Sequence, residues 1–184
     1  MARKPRLIII AAPSGTGKTT VIRRFLETHP DMVHSVSCTT RPMRPGDVEG
    51  RDYYFIDQKE FEDGIKKNKF AEWAEVHSHL YGTPKEPLDR WLKQNKDILL
   101  DVDVIGSLNL KKIYGKQAIS IFLVPPSMEE LKRRLSQRKT DSPEAQALRL
   151  KNAMTEMTYK DKFDHQVVND VLERACGEIE KIIS

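Results

Sequence analysis

Residues 7–20 read Leu7-Ile8-Ile9-Ile10-Ala11-Ala12-Pro13-Ser14-Gly15-Thr16-Gly17-Lys18-Thr19-Thr20, and no other stretch limits the fold so tightly. An apolar run of strand length leads into a loop of small residues. The loop ends in Gly-Lys-Thr-Thr, and apolar residues at helical spacing follow. Strand, glycine-rich loop and helix in that order are the setting of a Walker A phosphate loop. Gly15 and Gly17 permit the sharp turns that bring backbone N–H groups up to phosphate oxygens. The amino end of the following helix adds partial positive charge at the same point. Lys18 supplies a full charge for the β/γ-phosphates, and Thr19 a hydroxyl for Mg²⁺. The competing reading is a plain glycine-rich turn, against which the intact Gly-Lys-Thr end weighs. The strict motif begins with glycine where this chain has Ala12, which is tolerable at negative φ and costly at positive φ.

With 184 residues, the chain is long enough for one sizeable domain with a real core. Charged residues make up 32% and hydrophobic ones 39%, an ordinary globular balance. The longest apolar runs, 7–13 and 118–126, are far too short to span a membrane. Residues 1–6 are basic, but the apolar run after them leads straight into the phosphate loop, which argues against a cleaved signal peptide. Cys38 and Cys176 have no metal or redox spacing and read as free thiols of a cytoplasmic protein. The net charge of +4 fits anionic nucleotides as well as nucleic acid. No cluster of basic residues with interleaved aromatics supports a nucleic-acid partner.

Along the chain, Val21, Ile22, Phe25 and Leu26 mark the first helix, with Pro30 just past its end. Strands are expected over 34–38, around Tyr53-Tyr54-Phe55, over 70–76, over 97–103 as a run ending in Asp101 and Asp103, over 118–124 and over 166–168. Capping boxes are expected at Asp57/Glu60 and Ser127/Glu130, and Asp170 with Glu173 is expected to start the terminal helix. Thr83-Pro84 reads as a helix start, and 141–144 opens a longer helix. Trp73 and Trp91 read as packing residues, and His77 and His79 lack a third metal ligand. Apolar strands alternating with helices predict a parallel sheet covered on both faces. Two stretches, about 37–96 and 126–165, break the alternation and are expected over the carboxyl ends of the strands.

Arg41 and Arg44 stand three residues apart near Ser37, Thr39 and Thr40, and Tyr53 follows a glycine-containing turn. Arginine binds phosphate bidentately and tyrosine completes such a site, so this is a second candidate phosphate site. The alternative is a solvated basic loop. Glu72 shares a strand face with Phe70, Ala74 and Val76. A carboxylate there is costly without a partner, which favours a ligand-facing role.

Taken together, Pro13-Ser14-Gly15-Thr16-Gly17-Lys18, Thr39-Thr40-Arg41-Pro42-x-Arg44-x-Gly46-x-x-x-Gly50-x-Asp52-Tyr53-x-Phe55, Glu72-Trp73-Ala74, Tyr81-Gly82-Thr83, Asp101-x-Asp103 and Pro125-Pro126-Ser127 resemble guanylate kinase, in order and from end to end. The resemblance implies an α/β fold: a three-layer P-loop NTPase core with a parallel sheet (1–36, 97–125 and 166–184), a GMP-binding insertion of mixed strands and helices (37–96) and a helical lid (126–165). It implies transfer of the γ-phosphoryl of ATP to GMP, and to dGMP, with Mg²⁺. Ala12, Pro13, Ser14, Gly15, Thr16, Gly17, Lys18, Thr19 and Thr20 would hold ATP, with Asn169 near the adenine. Arg41, Arg44, Tyr53 and Tyr81 would hold the GMP phosphate, and Ser37, Glu72, Thr83 and Asp103 would read guanine. Lys18, Arg41, Arg134, Arg138 and Arg149 would act on the transferring group, and Thr19 and Asp101 would serve the metal. Thr83 has an equal claim as a helix N-cap. The chain departs from the family's pattern at Lys139 and Ile105.

Guanine presents N1–H and N2–H₂ donors side by side to a carboxylate, whereas adenine would leave Glu72 unpaired. The partners implied are small nucleotides, with no nucleic acid or membrane, for a monomer or homodimer. The rival reading is a non-catalytic guanylate-kinase-like interaction domain. Such domains typically lose the phosphate-loop lysine or other ATP contacts, and Lys18 and Thr19 are present.

Overall fold

In the computed structural model, residues 4–137 and 143–184 are described. The expected helix start at 141–142 and the residues Arg138 and Lys139 lie outside them. The fold is α/β, with a five-stranded sheet of order β2-β7-β1-β8-β9 and a four-stranded sheet of order β4-β3-β6-β5. The strands are β1 (Leu7–Ala11), β2 (Val33–Ser35), β3 (Cys38–Thr39), β4 (Tyr54–Phe55), β5 (Phe70–Val76), β6 (His79–Pro84), β7 (Ile98–Asp101), β8 (Ala118–Val124) and β9 (His165–Val168). The helices are α1 (Lys18–Thr28), α2 (Gln58–Lys66), α3 (Lys85–Lys93), α4 (Val104–Tyr114), α5 (Met128–Ser136), α6 (Pro143–Met157) and α7 (Leu172–Ile183). The chain forms two compact units, 1–9 with 30–119 and 10–29 with 120–184.

In the first unit, β2 and β7 pair in parallel, and Leu7, Ile9, Leu88, Ile98, Leu100, Val102, Leu110 and Ala118 make the core. Trp91 packs against that core as expected. Trp73 does not; it is 44% exposed. Side chains alternate along β5, so burying Glu72 and Ala74 turns Trp73 outward. The stretch read as one strand over 34–38 is divided. Its first part, β2, joins the five-stranded sheet, and β3 joins the smaller one.

β6 is the strand that local pattern hid. It pairs antiparallel with β5 through a two-residue turn in which His77 and Ser78 both take positive φ, 52° and 66°. That is the geometry of a tight hairpin, made here without the Asn-Gly pair that usually announces one. Thr83 therefore lies within a strand that ends at Pro84, and α3 starts at Lys85, one residue later than expected, with Pro84 at the N-cap and no side-chain cap. Helix α4 also lay outside the sequence reading. Its apolar residues, Val104, Ile105, Leu108, Leu110 and Ile113, spread round the helix instead of forming one stripe.

In the second unit, β8 and β9 pair in parallel, and α5 and α6 pack through Leu131, Leu135 and Ala153. Asp57 and Ser127 cap α2 and α5 by accepting from the N–H groups of Glu60 and Glu130. The terminal helix α7 starts near Asp170 as expected; Val171 is its N-cap, without a side-chain cap, and Asp170 pairs with Arg174. Cys38 and Cys176 are free thiols.

Candidate active site

The phosphate loop belongs to the second unit. After β1 the chain turns, with the N–H of Thr16 donating to the carbonyl of Pro13 at 3.1 Å. Gly15 and Gly17 take φ of +89° and +95°, and Gly17 caps α1. Ala12 is not among the residues with positive φ, so it carries no strain there. Val21, Ile22 and Phe25 bury one face of α1, while Thr19 and Thr20 stay exposed on its first turn.

This loop is held by three other segments of the same unit. Arg134 on α5 donates from Nη1 to the carbonyl of Thr16 at 3.0 Å. The Asn169 side-chain amide donates to that same carbonyl at 2.7 Å. On α6, Glu156 accepts from the N–H of Ser14 at 3.2 Å, and Arg149 donates to the Ser14 hydroxyl at 3.5 Å. Glu130 accepts from both Arg133 and Arg134, and these bonds hold its carboxyl down to about 2.

In the first unit, Arg41 is almost buried. Its Nη2 donates to Asp47 Oδ2 at 2.9 Å, its Nη1 donates to the carbonyl of Pro42 at 2.8 Å, and its guanidinium lies 5.4 Å from the ring centres of Tyr53 and Phe55. Tyr53 and Tyr81 meet edge to face at 5.8 Å. Arg44 is exposed on the loop, and its backbone N–H donates to the same Asp47 oxygen at 2.8 Å. Arg41, Tyr53 and Tyr81 thus form one cluster, with Arg44 tied in through Asp47.

Glu72 lies directly opposite Thr83 across the β5–β6 pair. The Thr83 hydroxyl donates to Glu72 Oε1 at 2.7 Å. The other carboxylate oxygen, Oε2, is buried with no hydrogen-bond partner, and so is the Ser37 hydroxyl. Asp103 caps α4, its Oδ1 accepting from the N–H groups of Ile105 and Gly106. Gly106 allows α4 to pass close by: a Cβ there would meet Glu72 Oε2 at 2.9 Å and Asp103 Oδ2 at 3.2 Å. Burial, with a further push from Asp103, raises the Glu72 carboxyl to about 7, although the Thr83 hydroxyl pulls it the other way. Thr83, offered as either cap or reader, orients the carboxylate. Asp101 sits half-buried at the end of β7.

The model of the family described as guanylate kinase matches residues 4–184. The chain belongs to the guanylate kinase family. It is similar to the guanylate kinase of Clostridium tetani, 45% identical over 98% of this chain and 86% of that protein. It is similar to that of Symbiobacterium thermophilum too, at 44% identity over all of this chain and 87% of the relative. A crystal structure of guanylate kinase from Anaplasma phagocytophilum superposes with a TM-score of 0.84 at 32% identity, covering 100% of this chain and 86% of that one.

Three acids that bond to these residues were not assigned to them from sequence, which reads Glu130 only as a capping residue. Glu130 stands three and four residues before Arg133 and Arg134, a helical spacing that could have shown it. Glu156 lies seven residues after Arg149, on the same helix face, but its target is in a distant loop. Asp47 sits in an irregular loop where spacing says nothing of direction. Arg138, expected beside Arg134, is outside the described residues.

Proposed function

We propose that the two sets of residues divide the substrates between them. The chain is an ATP:GMP phosphotransferase of the nucleoside monophosphate kinase class. Its loop 12–20 takes the triphosphate of ATP, with Lys18 on the β/γ-phosphates and Asn169 toward the adenine. Ser37, Glu72, Thr83 and Asp103 take guanine, while Arg41, Arg44, Tyr53 and Tyr81 take the GMP phosphate. Residues 37–96 are the GMP-binding region and 126–165 the lid.

The observation that carries this reading is the pair of buried, unpartnered atoms, Glu72 Oε2 and Ser37 Oγ. Buried polar atoms cost free energy unless something completes them. Guanine offers adjacent donors that a carboxylate can accept, with Asp103 Oδ2 close by for another. AMP, with an acceptor at N1 and no 2-amino group, would leave Glu72 unpaired. dGMP has the same base and is expected as a substrate.

A GMP phosphate oxygen attacks the γ-phosphorus in line, the bond to the β–γ bridging oxygen breaks, and ADP leaves with the electron pair. The acceptor is already anionic, so no general base is required. Catalysis rests on positioning and on neutralising charge, by Lys18, Arg41 and Arg149, with Arg138 assigned on resemblance alone. The Thr19 hydroxyl, with the nucleotide phosphates, would hold the metal, and Asp101 is assigned to it on resemblance alone. These hard oxygen donors suit Mg²⁺, which neutralises phosphate charge when bound.

We place the enzyme in the cytoplasm as a monomer or homodimer acting on nucleotides alone, without nucleic-acid or membrane partners. The two free thiols support a reducing setting. No helix among the described residues is long and apolar enough to cross a membrane.

The test is ADP release with ATP, Mg²⁺ and each of GMP, dGMP, AMP, CMP and UMP, in the wild type and Lys18→Ala. Turnover confined to the guanine nucleotides and lost in the variant is expected. Tight GMP binding without turnover would instead make the protein an interaction domain.

A further inference from the structure

We infer that Arg134 and Asn169 are positioning residues that set the direction of a phosphate-loop N–H by holding one peptide plane, the Thr16–Gly17 link, from behind. The inference rests on the reading that residues 12–20 bind the phosphates of ATP, and it changes what one expected lid arginine does.

The geometry starts from the carbonyl of Thr16. It accepts from Arg134 Nη1 at 3.0 Å and from Asn169 Nδ2 at 2.7 Å. There are no cis peptide bonds among the described residues, so the Gly17 N–H points opposite to that carbonyl. Two donors on the oxygen therefore aim the hydrogen at the other side of the loop, where an anion would be bound. Gly17 is needed twice over. Its φ of +95° is in the left-handed region, and a Cβ on it would meet Asn169 Nδ2 at 2.8 Å.

The clamp is itself braced. Asn169 is buried, and its backbone N–H donates to the carbonyl of Val124 at the end of β8 at 2.8 Å. Arg134 also donates to the carbonyl of Asn169, from Nη1 at 3.2 Å and Nη2 at 3.3 Å, and from Nε to Glu130 Oε1 at 2.8 Å. All three guanidinium nitrogens are thus engaged by protein acceptors. An arginine whose task was to contact the transferring phosphoryl would have to give these bonds up. One that orients the loop keeps them through the whole cycle.

Calorimetric binding of pyrophosphate and of ADP, each with Mg²⁺ and without GMP, tests this in Arg134→Met, Asn169→Ala and the double variant. Pyrophosphate has no adenine, so any adenine contact of Asn169 drops out. Each single variant should weaken pyrophosphate binding by about tenfold, the scale of a lost charge-assisted bond. The KM for ATP should rise while kcat changes little. The double variant should bind no worse than the weaker single one, because both side chains act on the same carbonyl. Unchanged pyrophosphate and ADP affinity with a large fall in kcat would overturn the proposal and put Arg134 on the reacting group. Fully additive losses would overturn it as well. Lys18→Ala separates the two levels: pyrophosphate affinity intact in that variant removes the loop from ATP binding, whatever Arg134 does. Should Arg134→Met not fold, Glu130→Gln keeps the guanidinium but loosens its brace. A smaller weakening is expected there, with a shift of the Gly17 amide resonance, and an unmoved resonance with unchanged affinity rejects the clamp.

Discussion

At position 72 burial works against charge, and that single residue carries the sharpest expectations. Between the ordinary value of 4.5 and about 7, the folded protein holds a proton on Glu72 that the unfolded chain does not. Stability therefore falls as pH rises through that window, by roughly 3 kcal/mol from this group alone. Glu72→Gln should remove this component from the pH dependence of urea unfolding; a slope equal to wild type would mean that the carboxyl titrates normally. Guanine recognition needs the ionised form, so GMP affinity should drop as pH falls below about 7 and binding there should release a proton. Titration in buffers of different ionisation enthalpy reads that proton directly. Glu72→Gln should also raise the KM for GMP by about ten- to a hundredfold, a charged hydrogen bond lost, while ATP binding stays unchanged. Equal damage to both nucleotides would remove Glu72 from guanine reading. That this acid lies on the buried face of its strand, beside Ala74, was legible from the alternation of side chains. Its partner was not, because Thr83 lies 11 residues away and is brought opposite by pairing alone.

At the scale of elements, the β5–β6 hairpin carries Glu72 and Thr83, the pair proposed to read guanine. Its turn is its weakest point: His77 and Ser78 both hold left-handed backbone, which glycine and asparagine adopt at less cost. Replacing His77-Ser78 with Asn-Gly should stabilise the protein by about 1 kcal/mol and raise Tm by a few degrees, with kcat for GMP unchanged. A lower Tm would show that the two side chains do more than complete the turn. Elements with strong local signals were readable in advance: β1, β8, α1 and the helices capped by Asp57 and Ser127. Those that depend on distant partners were not. β6 needed β5, which supplies its antiparallel partner residues. For α4, apolar residues on every side blurred the helical period.

For the whole molecule, the two compact units allow the nucleotide assignments to be separated. GMP alone should slow amide exchange in β3, β5, β6 and the loop 40–53. ADP alone should slow it in the loop 12–17 and the first turn of α1. Hydrogen–deuterium exchange followed by mass spectrometry resolves these segments. GMP protection confined to the phosphate loop, with none in the hairpin, would reject the assignment of residues 37–96.

Sequence by itself determined the phosphate loop, the guanylate-kinase motifs and the strands and helices that carry their own signals, because each is written in residues close together along the chain. Tertiary structure decided which acids serve which arginines, which atoms of Glu72 and Ser37 stay unfilled, and that the Thr16 carbonyl is gripped from two sides. Those facts depend on residues up to 153 positions apart, and hydrogen bonds of that reach exist only once packing has fixed distance and direction together.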